Sequence, residues 1–100
     1  MIFNNVLAPE GDELDTDEFA SFPGEAWFYY ETSGYDGRGY MIYTDGHKWD
    51  YELLGHCSCN GPLENFDPVD VRYVSIKDLL EHCTEELQKD LHSIVEFIKK

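Results

Sequence analysis

The sequence predicts an α+β fold: a small antiparallel sheet of three or four strands in a meander, with one or two C-terminal helices packed on one face. Three observations predict it. Residues 26–54 are rich in aromatics and alternate in polarity, as half-buried strands do. Asp45-Gly46 separates two such alternating runs, a hairpin signal. From Ser75 onwards apolar residues recur at helical spacing. With 100 residues the chain is near the usual size of one domain, read as an acidic loop over 8–25, a sheet over 26–74 and a helical part over 75–100.

Taken in order, residues 1–7 form a short strand or a packed arm through Ile2, Phe3, Val6 and Leu7. "APEGDELDTDEFASFPGE" holds six acids between Glu10 and Glu18 and is bounded by prolines; it reads as an acidic loop anchored by Leu14, Phe19 and Phe22. "AWFYYET" is aromatic and extended, so it shows two of its four consecutive aromatics on each face. "SGYDGRG" reads as a turn and "YMIYT" as a strand. Asp45-Gly46 then suits a type I′ turn, which needs positive φ at both central residues.

In "HKWDYELL", Trp49, Tyr51 and Leu53 point one way and Lys48, Asp50 and Glu52 the other, which predicts one buried and one acidic face. "DVRYV" alternates in the same manner and is the candidate fourth strand. Ser75 with Asp78 resembles a capping box before "IKDLLEHC", and Thr84 followed by two glutamates is a second helix start. The expected helices run near 76–82 and 85–99, with one continuous helix as the alternative because the apolar stripe carries through Cys83.

Charge dominates the chemistry. Twenty-one Asp and Glu against seven Lys and Arg give a net charge of −14. That argues against binding phosphate backbones, which needs cations to displace counterions, and against adsorption to anionic membranes. A field of this sign steers the protein towards basic surfaces, although acidity also keeps a small aromatic-rich protein soluble. No apolar run approaches the 18 residues or so of a membrane span, and "MIFNNVLAPEGDELD" has neither the basic nor the apolar region of a secretory signal. The three cysteines then point to free thiols in a reducing cytoplasm.

"LLGHCSCNGPLENF" raises the question of a metal or redox site. His56, Cys57, Cys59, His82 and Cys83 supply enough ligands for tetrahedral zinc, and a sheet end meeting a helix end would gather them. Yet C-x-C is not the usual spacing, and two such cysteines on an extended strand lie about 6.6 Å apart. Buried structural thiols are the competing reading, and zinc is left open. A redox pair would need C-x-x-C, and a nucleophilic thiol would need nearby cations. No phosphate loop, dinucleotide fingerprint or calcium loop is present, and no carboxylate pair stands out as an acid–base couple. The expectation is a protein that is not an enzyme and uses no cofactor.

What remains is the surface. Asp12, Glu13, Asp15, Asp17 and Glu18 line the loop, Asp50 and Glu52 the sheet, and Asp78, Glu81 and Glu85 one stripe of a helix, with Glu86 and Asp90 on a second. No Lys or Arg precedes Arg38. Carboxylate rows without interleaved cations can imitate the phosphates of a nucleic acid in a basic groove. Tyr35 and Arg38, placed at the turn, are the anchor candidates, since Tyr and Arg are favoured at interfaces.

In size, acidity and lack of catalytic signature the chain resembles the small inhibitors encoded by bacteriophages, including anti-CRISPR and anti-restriction DNA mimics. "LGHCSCNGP" is also similar to a segment of phage and prophage proteins of no known activity. The resemblance implies stoichiometric blockade of a basic nucleic-acid-binding enzyme or complex in the host cytoplasm, without cofactor, turnover, membrane or direct nucleic-acid contact. The competing expectation is a protein–protein adaptor, zinc-stabilised or metal-free, that uses an aromatic sheet surface.

Overall fold

The computed structural model describes residues 1–6, 19–33, 36–56, 66, 68 and 71–98. Four strands, β1 (Ile2–Asn5), β2 (Glu25–Ser33), β3 (Asp36–Thr44) and β4 (Trp49–His56), lie side by side in chain order, followed by α1 (Ile76–Glu81) and α2 (Glu85–Ile98). The α+β class and the meander over β2–β4 agree with the sequence reading. The first strand differs in direction: β1 pairs with β2 in parallel, with Ile2 opposite Glu25 and Asn5 opposite Phe28, so the sheet is mixed. A parallel neighbour needs a long crossover, and the stretch between β1 and β2 supplies one. Near its end, ahead of β2, the Met1 ammonium donates to the carbonyls of Phe19 (2.8 Å), Ala20 (3.2 Å) and Phe22.

Both hairpins form where expected, with different turns. β2 and β3 pair from Glu25–Thr44 to Ser33–Asp36, so Asp36, Gly37, Arg38 and Gly39 belong to the strand and the connection is only 34–35. Between β3 and β4 the connection is residues 45–48, and only Gly46 has positive φ (99°), which rules out a two-residue I′ turn. Side chains set this turn. Asp45 Oδ1 accepts the N–H groups of His47 and Lys48 at 2.8 Å each, and Thr44 Oγ1 accepts from Gly46 and donates to the Lys48 carbonyl.

Of the expected fourth strand over "DVRYV", the described residues 71–74 make one antiparallel bridge, Trp49 with Tyr73, on the outer edge of β4.

The sheet is covered on both faces, which corrects the expectation of one buried and one acidic face. Ala26, Phe28, Tyr30, Met41, Tyr43 and Leu54 form one core with Phe19 and Phe66, against which Met1, Phe3, Phe22 and Val71 pack. Phe66 meets Phe19 and Tyr43 edge-on, with centroids 5.0 and 4.8 Å apart. On the opposite face Ile42, with Trp27, Tyr40, Trp49 and Tyr51, packs under Leu79, Leu91, Ile94 and Val95 of the helices. The Trp27 and Trp49 rings stack there at 5.8 Å. Of the consecutive aromatics of β2, Phe28 and Tyr30 pack on the first core and Trp27 on the second.

The helices are two, not one. Ser75 Oγ accepts the Asp78 N–H (3.1 Å) to start α1, and His82 closes it. Thr84 Oγ1 accepts the Leu87 N–H (3.2 Å), opening α2. Gln88 Nε2 then donates to the carbonyls of Leu80 (2.6 Å), which also accepts the Cys83 N–H, and Cys83 (3.3 Å), tying the start of α2 to the end of α1.

Candidate acidic binding surface

The predicted acids divide into three groups. Asp12, Glu13, Asp15, Asp17 and Glu18, together with Tyr35, lie outside the described residues. Glu81, Glu85 and Glu86 are exposed on the helical layer, as are Asp90 and Glu96. Asp50, Glu52 and Asp78 depart from the expectation.

Asp50 is the clearest correction. It is 2 % exposed, and its carboxylate takes both arms of the Arg72 guanidinium, Nε to Oδ2 at 2.9 Å and Nη2 to Oδ1 at 3.0 Å. Oδ1 also accepts the Tyr51 N–H at 2.8 Å. A carboxylate engaged on every side cannot present itself to a partner. Strand alternation predicted that it points away from Trp49 and Tyr51; what it missed was that this face is covered too. Glu52, two residues on, is half-buried, and burial pushes its carboxyl above the ordinary value, with the neighbouring Asp50 adding to the effect. It is not a freely solvated anion.

Asp78 is partly shielded, with His82 Nδ1 at 3.7 Å from its carboxylate and 2.8 Å from its carbonyl. The break at 82–84 also means that Asp78, Glu81 and Glu85 do not form one helical stripe: the first two lie on α1, the third opens α2. Glu86 and Asp90 do lie one turn apart on α2. They face Tyr40 of β3, whose phenol is pushed up by burial first and then by its hydrogen bond to Asp90. Arg38, exposed on β3, works against that rise. The exposed acids are not entirely free of cations, because Lys77 precedes Glu81 and Lys89 follows Glu85, each by four positions.

Cys57 and Cys59 lie outside the described residues, as does the His56 side chain. His82 is exposed and its ring lies tilted against that of Tyr73, centroids 5.1 Å apart. Cys83 is half-buried and donates to the Leu79 carbonyl at 3.3 Å, and burial pushes its thiol up, away from the thiolate a nucleophile or metal ligand needs. Among the described residues no three metal-ligating side chains converge.

Sequence reasoning missed Arg72. Its signal was present: it is the single cation between Lys48 and Lys77, in an alternating segment of a chain with 21 acids.

What fold and surface define is an α+β domain with an acid-rich helical layer. No family model, curated protein or solved structure matches the chain.

Proposed function

We propose that this chain is a non-enzymatic acidic binding protein that occupies a basic, nucleic-acid-binding site on a partner protein, as phage-type inhibitors of host defence or nucleic-acid enzymes do. The observation that carries this reading is the helical layer. Glu81, Glu85, Glu86, Asp90 and Glu96 are exposed on helices whose other side is fixed in a core, in a chain of net charge −14. Rigidly held carboxylates compete for Lys and Arg side chains without the ordering cost of a flexible acidic tail. The field of the whole molecule adds to the rate of encounter. Arg38 on β3, opposite Glu31 of β2, is the anchoring candidate among the described residues. The adaptor reading, which uses an aromatic sheet surface, has less support, because most described aromatics of the sheet pack in the two cores.

The test is affinity capture from a bacterial lysate over a salt series, with E81K/E85K/E86K as the control. The reading expects a nucleic-acid-binding protein that elutes as salt rises, is displaced by added DNA or RNA, and is not retained by the variant. A catch that withstands high salt, ignores nucleic acid and is retained equally by the variant overturns it.

A further inference from the structure

Residues 71–74 carry the chain around the β4 edge from one core to the other. Val71 packs on the core built around Phe28 and Tyr43, while Tyr73 packs on the core under the helices. Between them Arg72 reaches Asp50, and directly after them Ser75 caps α1.

The attachment is narrow. β2 and β3 share nine register pairs and β3 and β4 share eight, whereas this segment meets β4 at one, Trp49 with Tyr73, through two backbone hydrogen bonds of 2.6 and 2.9 Å. Beside that bridge the ladder is replaced by side chains. Asp50 takes the Tyr51 N–H that points out of the sheet edge, and Arg72 takes Asp50. The guanidinium also lies over the Tyr73 ring at 5.1 Å and the Tyr51 ring at 5.9 Å.

The two halves of the pair differ in exposure, with Arg72 at 59 % and Asp50 at 2 %. Water reaches the cation but not the anion. Val74, at the outer end of the segment, is 70 % exposed and adds little burial.

We infer that residues 71–74 form a releasable strap, latched to β4 by the Asp50–Arg72 pair, which opens as a unit while the β2–β3–β4 ladder stays closed. Local openings of this kind occur where few buried contacts and few backbone bonds hold a segment. Opening breaks the Trp49–Tyr73 bridge, removes the cation from Asp50 and frees the outer edge of β4 at Trp49 and Tyr51. It also loosens the lead into α1. The strap thereby couples the sheet edge to the helical layer.

Native-state hydrogen exchange on the full chain tests this, read by NMR at low denaturant. The amides of Trp49, Tyr51 and Tyr73 are expected to exchange through one shared opening with weak denaturant dependence, at least about tenfold faster than Met41 and Ile42 of β3. Arg72→Gln should speed those three amides by a further tenfold or more and leave the β3 amides within about twofold. Arg72→Lys, which keeps the charge but not the two-armed fit, should fall between. Exchange of the three amides at the β3 rate in the unmodified protein overturns the strap, whatever the variants do. So does an Arg72→Gln effect spread equally over all four strands.

Discussion

Asp45 and Glu52 belong to one hairpin, yet their carboxyls are displaced in opposite directions, and the reasons are local. Asp45 is held below its ordinary value because the N–H groups of Lys48 and His47 donate to its charged form. Its contribution to stability is therefore present at neutral pH and lost as pH falls through the folded value. Asp45→Ala should cost about 1 kcal/mol at pH 7 in urea unfolding, with the deficit closing as pH falls through the lowered folded value. Glu52 is raised by burial and by Asp50, so the folded chain holds its proton more tightly than the unfolded chain does. Its favourable contribution is complete below the ordinary value of 4.5 and is lost as pH rises through the higher folded value. Glu52→Gln should thus be more stable than the parent at pH 7, with the advantage vanishing near pH 4. Unfolding midpoints for both variants across pH 3–8 should diverge from the parent in opposite senses. Neither shift was legible in the sequence. Alternation put Glu52 on the face away from Trp49, but that face is covered by chain brought in from distant positions, Phe19, Phe66 and Val71 among them, which local sequence does not reveal.

Elements were more legible than their ends. The two helices follow from Ser75, Thr84 and the apolar spacing, all local signals, and they appear within a residue or two of where the sequence placed them. The gap between them depends on Thr84 and Gln88. Thr84→Ala should cost about 1 kcal/mol by denaturant titration and lower helicity in circular dichroism, because the Leu87 N–H loses its acceptor. The glycine-rich stretch was read as turn because Gly34, Asp36, Gly37 and Gly39 are all turn formers. Gly39 instead sits inside β3 opposite Tyr30, for a steric reason that composition does not reveal. A Cβ there would lie 1.9 Å from the Tyr29 carbonyl oxygen and 2.8 Å from the Tyr30 Cα, both backbone atoms. Gly39→Ala should therefore force β2 and β3 apart and cost roughly 3 kcal/mol, visible as a lowered unfolding midpoint and weakened cross-strand amide protection. The parallel β1 was hidden for a related reason: strand direction depends on where the following loop returns, and residues 1–7 alone carry no such information.

At the scale of the whole molecule, the net charge of −14 works against the fold through self-repulsion. Asp50–Arg72 is the one Lys or Arg ion pair within 4.0 Å among the described residues, so added salt has little local attraction to weaken and much general repulsion to screen. The Tm should rise by several degrees between about 10 and 150 mM NaCl, the reverse of a fold held together by surface pairs. The charge-reversed variant E81K/E85K/E86K separates this effect from recognition. Each reversal removes two negative charges, taking −14 to −8, which relieves repulsion. Against this, Glu85 and Glu86 favour the positive end of α2 by about 0.3–1 kcal/mol each, while a lysine at position 81 suits the C-terminal end of α1. These terms nearly cancel, so stability at 150 mM should lie within about 1 kcal/mol of the parent, with a shallower rise of Tm with salt. Affinity for a basic partner should fall at least about tenfold and lose its salt dependence in the same variant. A variant that folds with the shallower slope yet keeps the parent's affinity would place recognition elsewhere, and Asp90, Glu96 and the acids of 10–18 would be the next to reverse.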